Sequence, residues 1–307
     1  MGVIGFILHA KISSKKAVKA ALENKFAAEY DLRFYETAKP RHAEDLTETA
    51  LAEGCDFLIA VGGDGTLNEV VNTFLRTGGK SKYEIAIGVL PFGTGNDFAR
   101  SIGMNRSVDQ LYEIIRRNQP RILDAGALSF TRADGTVYTR FFDNIADVGI
   151  GAEVVAKVNG VHVRKRILGG TMTFIFSALS TFMTFRHKKI RIRWDDQSYE
   201  GKVLEVVVAN GVYFGSGLGI APEAKMDDGL FELIILGNVG VIDYLKNFGR
   251  LRKAEKIIHP EIKYYRTSNV SIEPLGQRAI VEADGEIEGH APLEFTCLKG
   301  ALPFLVP

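Results

Sequence analysis

Short apolar runs alternate with helical hydrophobic patterns over the first 125 residues of this 307-residue chain. The runs have the usual length of buried strands and cover residues 3–9, 32–35, 57–61 and 84–90. Between them, apolar residues recur at helical spacing, as in Val18, Leu22 and Phe26. This alternation predicts a parallel sheet with helices on both faces, so we expect 1–125 to form a doubly wound α/β domain.

Strand patterns dominate after residue 125, where turn residues such as Asp228 and Gly229 separate the apolar runs. The predicted strands are 137–142, 189–194, 203–209, 231–236, 270–273, 279–283 and 293–298. Helical patterns occur at 152–159, 171–185 and 241–253. We therefore predict a β-rich second domain of sandwich type over 126–298, with helical insertions. The C-terminal residues 299–307 are expected to pack back on the first domain.

A glycine-rich turn lies between the third predicted strand and the helix after it. Its residues are Gly62, Gly63, Asp64, Gly65 and Thr66. A helix N-terminus after such a turn favours anions, above all phosphate, through its N–H groups and its dipole. Thr66 and Glu69 also predict a capping box that fixes the helix start. The plainer interpretation is that tight turns need glycine, but it leaves Asp64 unexplained, because a carboxylate repels phosphate unless a metal or a proton lies between them.

A second glycine turn, Pro91-Phe92-Gly93-Thr94-Gly95-Asn96-Asp97, follows the fourth predicted strand. Both turns therefore lie at the carboxyl ends of predicted parallel strands, where such sheets bind their ligands. Neither the P-loop pattern G-x-x-x-x-G-K-[ST] nor the dinucleotide pattern G-x-G-x-x-G occurs in the chain. The two turns together predict a phosphate site of another kind.

Composition is typical of a soluble globular protein, with 46% hydrophobic and 24% charged residues. Lys and Arg number 38 against 37 Asp and Glu, so a net charge of +1 gives no general attraction to nucleic acid. Two distant cysteines, Cys55 and Cys297, are expected to be free thiols in a reducing compartment. The apolar residues 2–8 are only as long as a strand and do not resemble a signal peptide. We expect a cytoplasmic protein.

One uncharged apolar segment, 167–185, is long enough to raise the question of a membrane span. Its many Gly, Ser and Thr residues favour a buried or half-buried helix instead. Basic residues without any Asp or Glu flank it between Val154 and Trp194, and a second basic cluster comprises Lys246, Arg250, Arg252, Lys253 and Lys256. These charges form either a solvated surface or a surface for anionic lipid headgroups, to which each charge contributes about 1 kcal/mol. Aromatic residues are not interleaved with them, which argues against nucleic acid.

Two segments, 61–72 and 90–100, resemble the diacylglycerol kinase catalytic-domain family of lipid kinases. That family includes bacterial diacylglycerol kinases, phosphatidylglycerol-type lipid kinases, and sphingosine and ceramide kinases. The segments 122–124, 221–230 and 282–286 resemble later motifs of the family, in the family's order. The resemblance implies an ATP-binding α/β domain and a β-sandwich domain for the lipid. It also implies Mg²⁺-dependent transfer of the γ-phosphoryl group of ATP to the hydroxyl of diacylglycerol or a related lipid alcohol.

The resemblance further implies which residues bind the nucleotide. They are Thr37, Gly62, Gly63, Asp64, Gly65, Thr66, Leu67, Asn68, Glu69, Gly93, Thr94, Gly95 and Asn96. One segment departs from the family, because residues 9–15 replace the Asn-Pro-x-Ser-Gly-like turn that usually follows the first strand. Ser13, Ser14 and Lys15 are the candidates there for phosphate contacts.

Catalytic roles are implied for Asp64 and for Asp284 or Glu286, one of which would be the base. Asp284 and Glu286 lie two residues apart on a predicted strand end, so we expect them to share one face and to raise the pKa of one carboxyl. An ordinary Asp-Gly hairpin with a solvated glutamate explains the same spacing equally well.

Two metal-related sites are also implied by the resemblance. Asp228, with the main-chain carbonyls of Lys225 and Leu230, would hold a structural metal. Asp97 and Asp124 would join Asp64 in a network of water or Mg²⁺.

Two other functions stay open at this point. NAD kinases and phosphofructokinases, which act on soluble substrates, also contain a G-G-D-G turn. The altered segment 9–15 suggests a lipid- or nucleotide-binding protein without activity. Asp64, Asp284 and Glu286, together with the basic apolar region, favour the lipid kinase. The expected partners are ATP, the lipid and an anionic membrane surface, and family members often form homodimers.

Overall fold

The computed structural model describes residues 1–78, 85–132, 134–160, 180–182, 184–276 and 278–307. It divides into two compact units. The α/β unit comprises 1–124 with 300–307, and the β unit comprises 125–299. The predicted fold class, a parallel-sheet α/β domain followed by a β-sandwich, is confirmed.

In the described part of the α/β unit, four neighbouring strands of the sheet are parallel. They are β1 (Gly2–Leu8), β2 (Tyr30–Glu36), β3 (Phe57–Gly62) and β4 (Ala86–Pro91). Their order is β2-β1-β3-β4, and all neighbouring pairs are parallel. On the far side of β4, Phe304 pairs in parallel with Ile87. Because the strands are parallel, their carboxyl ends and the turns that follow them lie at one end of the sheet.

Amphipathic helices connect these strands, as the sequence predicts. They are α1 (Lys15–Phe26), α2 (His42–Ala52), α3 (Asp64–Arg76), α4 (Asp97–Ser101) and α5 (Val108–Arg117). The helix α1 buries Val18, Leu22 and Phe26, and α3 buries Leu67 and Phe74 in the same way. Each large apolar side chain buried in this manner contributes about 1.5–3 kcal/mol, which fixes the helices and the turns in front of them.

Among its described residues, the β unit contains two large antiparallel sheets, the two-stranded sheet of β11 and β12, and the helices α6 and α7. Its strands are β5 (Arg121–Thr131), β6 (Val137–Phe142), β7 (Ile145–Gly149), β8 (Lys188–Trp194), β9 (Gln197–Val203), β10 (Glu205–Ala209), β11 (Tyr213–Phe214), β12 (Leu218–Gly219), β13 (Phe231–Leu236), β14 (Ile262–Thr267), β15 (Asn269–Pro274), β16 (Ile280–Ala283), β17 (Glu286–His290) and β18 (Leu293–Phe304). The helices are α6 (Ile150–Gly160) and α7 (Val241–Arg252). β5 begins, and β18 ends, with residues of the α/β unit.

Six of these strands form one sheet, in the order β14-β13-β10-β7-β16-β17. The first part of β18 forms the second sheet with β15, β8 and β9, and β5 pairs with β6. The strand β10 is buried on both faces. Val206 and Val208 belong to the core shared with the second sheet, whereas Val207 and Ala209 face a second core that also includes residues of α6 and α7. Burial on both faces explains why β10 is a continuous apolar run.

Several strand predictions differ from the structure. The predicted strand 203–209 is two strands, because Leu204 leaves the β-ladder between β9 and β10 and donates its N–H to the carbonyl oxygen of Leu236 at 2.8 Å. The strands β7, β14 and β17 have no clear apolar alternation in the sequence and are not predicted.

The predicted apolar helix at 171–185 falls almost wholly outside the described residues, as do Arg164, Lys165 and Arg166 of the basic run. In the described part of the chain, no helix combines the length and the hydrophobicity needed to cross a membrane.

Candidate active site

The two predicted glycine turns touch each other at the carboxyl ends of β3 and β4. Gly62 pairs with Pro91 at the end of the ladder, and the next residues bring Gly63 against Gly93. A Cβ atom on Gly93 would lie 2.4 Å from the Cα of Gly63, and one on Gly63 would lie 2.9 Å from the Cα of Gly93. No side chain fits at these distances, so the contact requires glycine at both positions. These glycines therefore join the two turns into one surface.

Asn96 closes the second turn with its side chain. Its Oδ1 accepts a hydrogen bond from the Gly93 N–H at 2.8 Å, and its Nδ2 donates to the Gly93 carbonyl oxygen at 2.9 Å. Asn96 has a φ of 52°, a left-handed conformation that asparagine tolerates. Thr94 is exposed at the tip, and Gly95 beside it is half-buried. The backbone of this tip is therefore accessible to a ligand.

The helix α3 begins at Asp64, directly after Gly63. Gly63 is the N-cap residue, and no side chain caps the helix. The predicted capping box of Thr66 and Glu69 is therefore wrong, because the extended glycine lets the helix begin two residues before Thr66. Glu69 instead accepts a hydrogen bond from the Ala43 N–H, in the first turn of α2, at 2.8 Å. The Thr66 hydroxyl packs over Gly62, where an added Cβ would lie 2.5 Å from Oγ1.

Three other residues of α3 that the resemblance assigns to the nucleotide differ in exposure. Gly65 is exposed, and nothing lies within 4 Å of the Cβ position that it leaves empty. Leu67 is a core residue, and Asn68 is buried, where its Oδ1 accepts a hydrogen bond from Asn72 at 3.0 Å. The part of this helix that an anion can approach is therefore its first turn, around Gly65.

Asp64 and Asp97 begin two neighbouring helices. Asp64 Oδ1 accepts a hydrogen bond from the Phe98 N–H at 3.3 Å, which brings it beside the first turn of α4. Asp97 is buried, and its carboxyl lies 3.9 Å from the Arg100 guanidinium. Asp124 is fully buried on β5, where it accepts a hydrogen bond from the Gly300 N–H at 2.7 Å. The structure thus places Asp64 beside the first turn of α4, whose first residue is Asp97, and Asp124 binds the C-terminal segment.

The carboxylates of Asp64 and Asp97 suit Mg²⁺, which commonly binds one or two protein carboxylates and completes its shell with water and phosphate oxygens. Across the described residues, no group of three or more His, Cys, Asp or Glu side chains could hold a metal ion by itself. An Mg²⁺ ion at Asp64 and Asp97, bound together with phosphates, stays a prediction.

Thr37 lies after β2, at the same end of the sheet as the glycine turns. Its hydroxyl accepts a hydrogen bond from the Ala10 N–H at 2.9 Å, and it is buried. Thr37 therefore fixes the segment 9–15, whose sequence departs from the family. Within that segment, Ser14 is the N-cap residue of α1, and the Lys15 amine pairs with Glu36 at 2.6 Å.

Asp284 and Glu286 are separated by a tight hairpin turn, so the expectation that they share one face of a strand is wrong. Asp284 and Gly285 are the two residues between β16 and β17, with φ of 48° and 86°. Two positive φ values are required by a type I′ turn, for which Asp-Gly is a preferred sequence. Glu286 is exposed at the start of β17. The turn therefore directs the two carboxyls differently.

The Asp284 carboxylate binds the backbone between β6 and β7. It accepts hydrogen bonds from the N–H groups of Asp143 at 2.9 Å, Asn144 at 3.2 Å and Ile145 at 3.0 Å. The Asp284 N–H donates in return to the Ile145 carbonyl oxygen at 2.9 Å. Asp284 therefore anchors this loop.

A row of three buried carboxyls, which the sequence analysis missed, crosses the six-stranded sheet. Asp147 on β7 lies directly opposite Glu282 on β16, and Glu205 on β10 is the diagonal neighbour of Asp147. Each also accepts one backbone N–H: Asp147 from Ala152 at 2.9 Å, Glu205 from Gly151 at 2.9 Å, and Glu282 from Gly285 at 2.7 Å. Two of these donors belong to the first turn of α6, so its positive end faces the row.

Burial favours the neutral form of these carboxyls. It raises the pKa of Asp147 well above the ordinary value, and the neighbouring Glu282 charge raises it further. Burial, followed by the Asp147 charge, likewise raises the pKa of Glu205. Burial raises the pKa of Glu282 to about 7, although a hydrogen bond with Asp147 lowers it. Burial is therefore the largest cause of the raised pKa of all three carboxyls.

We expect Glu282→Gln to flatten the dependence of the unfolding free energy on pH. The Glu282 carboxyl ionises near pH 4.5 in the unfolded chain but near 7 in the folded chain, because burial raises its pKa. As the pH rises between these two values, ionisation stabilises the unfolded chain. The unfolding free energy therefore falls by about 3 kcal/mol over that pH window. Glutamine does not ionise, and the variant should lack this loss. Urea unfolding at several pH values across the window measures it.

The control for this experiment is Glu286→Gln, which removes an exposed carboxyl from the other strand of the same hairpin. In Glu282→Gln, the unfolding free energy should still fall to some extent as the pH rises, because burial also raises the pKa of Glu232 to about 7. A pH profile identical to that of the unmodified protein would contradict the prediction for Glu282.

Asp228, which the resemblance assigns to a structural metal, is bonded within the protein. Its Oδ1 accepts a hydrogen bond from the Leu230 N–H at 3.0 Å, and its Oδ2 forms an ion pair with Arg266. Leu230 thus presents its N–H to Asp228, and Lys225 is exposed. The Arg266 guanidinium already supplies the positive charge that a metal would supply. These contacts do not favour a metal, and the metal at Asp228 stays a prediction.

An apolar cavity lies between the six-stranded sheet and the helices α6 and α7. Its apolar lining includes Ile150, Val154, Leu204, Leu236, Leu251 and Ile262. The polar residues in its wall are Glu205, Asp243, Tyr244 and Asn247. An apolar cavity with a few polar groups is typical of sites for small organic ligands.

Two family models match the chain. The diacylglycerol kinase catalytic domain matches residues 6–128, and the YegS C-terminal NAD kinase beta sandwich-like domain matches residues 144–306. A probable lipid kinase YegS-like of Pseudomonas aeruginosa is 32% identical over 302 residues, covering 98% of this chain and 93% of its own length. A diacylglycerol kinase of Staphylococcus carnosus is 26% identical over 293 residues, covering 95% of this chain and 90% of its own.

A crystal structure of a diacylglycerol kinase from Bacillus anthracis has the same fold. It matches this structure with a TM-score of 0.71 at 18% identity, over 100% of this chain and 97% of its own length.

Proposed function

This chain belongs to the diacylglycerol kinase family and is a lipid kinase, and we propose that it transfers the γ-phosphoryl group of ATP to the hydroxyl of diacylglycerol or a related lipid alcohol, with Mg²⁺ as cofactor. The observation that supports this proposal most is the contact between Gly63 and Gly93 beside Asp64 and Asp97. It combines N–H groups for phosphate with carboxylates for Mg²⁺, at the end of the sheet where such folds bind ligands.

The α/β unit would bind the nucleotide. Phosphoryl transfer depends on holding the phosphates in position and neutralising their charge. In the proposal, the first turn of α3 around Gly65 and the accessible backbone of Thr94 and Gly95 bind the phosphate oxygens. Mg²⁺ held by Asp64 and Asp97 would neutralise part of the phosphate charge. Thr37 would fix the segment 9–15 at the border of this site.

The hairpin between β16 and β17 would supply the base. A hydroxyl that attacks phosphorus must lose its proton, and a carboxylate within hydrogen-bond reach can accept it. Glu286 is exposed at the start of β17, whereas the carboxylate of Asp284 is bonded to three N–H groups. We therefore propose that Glu286 accepts the proton and that Asp284 fixes the turn that positions it.

The apolar cavity of the β unit would accept an acyl chain of the lipid. Its lining is dominated by Leu and Ile side chains, and burying each methylene of an acyl chain against them contributes about 0.8 kcal/mol. A soluble sugar phosphate or dinucleotide has no acyl chain to bury in such a cavity. The cavity therefore favours a lipid over the soluble substrates of related kinases.

The outer face of α7 would contact an anionic membrane. Ile242 and Leu245 are exposed on it by 67% and 55%, and Ile258 shortly after it by 88%. The basic residues Lys246 and Arg250 are exposed on the same helix. Exposed large apolar side chains beside basic ones are typical of surfaces that insert among anionic headgroups. Because α7 also lines the cavity, contact there would bring the cavity close to the lipid.

We expect the double variant Lys246→Ala and Arg250→Ala to bind phosphatidylglycerol vesicles about 30-fold more weakly, since each charge near the surface contributes about 1 kcal/mol. Sedimentation with vesicles at low salt measures this affinity without any turnover. The matched control is Arg116→Ala with Arg117→Ala, which removes two exposed charges from α5 of the other unit. Equal losses in both double variants would indicate a general charge effect and exclude α7 as the contact.

The function itself is tested by incubating the purified protein with labelled ATP, Mg²⁺ and mixed vesicles containing diacylglycerol, phosphatidylglycerol, ceramide and sphingosine. We expect one labelled lipid, and its identity gives the substrate. Transfer to NAD or a sugar phosphate in parallel reactions, without a lipid product, would instead support a kinase of soluble substrates. Binding of ATP without any product would support a binding protein. Light scattering of the same sample tests the expected homodimer.

A further inference from the structure

The cavity of the β unit contains two polar groups that have no hydrogen-bond partner within the described residues. Glu205 is 4% exposed and uses Oε1 to accept the Gly151 N–H at 2.9 Å, whereas its Oε2 is unbonded among the described residues. The same holds for the hydroxyl of Tyr244 on α7. Both residues line the cavity. A ligand that pairs with these groups gains about 0.5–1.5 kcal/mol for each hydrogen bond.

The other polar residues of the cavity wall are bonded to their own helix. The Asp243 carboxylate accepts the Gly240 N–H at 3.0 Å and so caps α7. The Asn247 amide donates to the Asp243 carbonyl oxygen at 2.9 Å. In the described part of the chain, the polar groups of this wall that stay available to a ligand are therefore Glu205 Oε2, the Tyr244 hydroxyl and the amide oxygen of Asn247.

Glu205 and Tyr244 lie close enough to influence each other. The pKa of Tyr244 is raised by burial and, after burial, by the charge of Glu205. Burial and, after burial, the charge of Asp147 raise the pKa of Glu205 well above its ordinary value, which favours the neutral carboxyl. A neutral carboxyl and a phenol are both able to donate a hydrogen bond. The natural partner for two such donors is an uncharged oxygen acceptor.

We propose that Glu205 and Tyr244 form a polar anchor that hydrogen-bonds an uncharged oxygen of the lipid, an ester carbonyl, while the acyl chain fills the apolar part of the cavity. This inference rests on the proposed lipid kinase function and adds a determinant of specificity to it. A site built to hydrogen-bond a substrate oxygen discriminates strongly against an analogue that lacks that oxygen, because its buried polar groups are then left unpaired. The anchor therefore selects acyl-ester lipids over ether lipids of the same length.

Three substitutions test the anchor, with dioctanoylglycerol as the ester and dioctylglycerol as the ether. Tyr244→Phe removes only the hydroxyl, and Glu205→Leu removes the carboxyl at similar size. We expect each to raise the KM for the ester about tenfold with little change in kcat, and to abolish the preference for ester over ether. Glu205→Gln keeps a donor and an acceptor and should retain that preference. Tyr264→Phe is the control, because its hydroxyl bonds the Ile257 N–H.

Direct titration of the unmodified protein and each variant with the two lipids, without ATP, supplies a second measurement. Tighter binding of the ester, lost in Tyr244→Phe and Glu205→Leu but kept in Glu205→Gln, supports the anchor. Lipid phosphorylation with unchanged KM and unchanged ester preference in both variants would overturn the anchor and leave the kinase function intact. Loss of ester binding in Glu205→Gln as well would show that a charged carboxylate is needed, and would also overturn it. Absence of lipid binding and of lipid turnover in the unmodified protein would remove both proposals.

Discussion

Gly93→Ala is expected to force the two glycine turns apart and to lower the affinity for ATP by about tenfold or more. The added methyl group would lie 2.4 Å from the Cα of Gly63 and 2.8 Å from the Oδ1 of Asn96. The first of these neighbours is backbone, which cannot rotate away as the end of a flexible side chain can. Overpacking of this kind costs about 1–3 kcal/mol. Calorimetric titration with ATP and Mg²⁺, together with thermal unfolding, measures both effects.

The matched control is Gly65→Ala, two residues after Gly63 in the first turn of α3. Nothing lies within 4 Å of its added Cβ, and alanine is favoured over glycine inside a helix by about 0.5–1 kcal/mol. We expect Gly65→Ala to be at least as stable as the unmodified protein but to bind ATP more weakly, because the methyl group occupies the approach to the N–H groups. Unaltered ATP affinity in Gly93→Ala would mean that the contact between the turns is not needed for the nucleotide. Unaltered ATP affinity in Gly65→Ala would indicate that the phosphates do not bind at the first turn of α3.

The sequence predicts the fold and the surroundings of this contact because both depend on local patterns. Alternating apolar strands and amphipathic helices define the parallel sheet, and the topology then brings the turns after β3 and β4 to the same end. The close approach of Gly63 to Gly93 cannot be predicted from a local pattern, because it follows from the pairing of Gly62 with Pro91. The sequence also predicts the wrong start for α3, which depends on the backbone conformation of Gly63. The polar sequence around Thr66 resembles a cap, but the extended backbone of Gly63 allows an earlier helix start.

The buried carboxyl row could not be predicted because each member is a single acid in an apolar strand. Glu205 begins the run Glu-Val-Val-Val-Ala, and Asp147 lies within Ile-Ala-Asp-Val-Gly. Only strand pairing between β10, β7 and β16 brings these residues together with Glu282. A carboxyl in a strand that is otherwise buried was the available signal, since such groups are rarely buried unless they are paired.

Asp284→Asn is expected to lower turnover by about 10³-fold and the unfolding free energy by about 2–3 kcal/mol. The Asp284 carboxylate accepts three backbone N–H groups from Asp143, Asn144 and Ile145. Hydrogen bonds to a charged group are worth about 1.5–3 kcal/mol each, and an amide nitrogen would face the donors at one of the two oxygen positions. The loop between β6 and β7 and the hairpin turn should therefore loosen together. Urea unfolding and the lipid kinase assay, at the same pH, measure the two effects.

Glu286→Gln separates catalysis from this structural role. Its side chain is exposed at the start of β17, so removing the charge should leave the unfolding free energy unchanged. If Glu286 accepts the hydroxyl proton, turnover should fall by about 10²–10⁴-fold, the range typical of general-base catalysis. Full turnover in Glu286→Gln would exclude it as the base and leave Asp284 as the candidate. Full turnover in a destabilised Asp284→Asn would show that the hydrogen bonds of Asp284 stabilise the loop but are not needed to position the base. A loss of turnover in both variants, with instability only in Asp284→Asn, is the result that the hydrogen bonds of this hairpin predict.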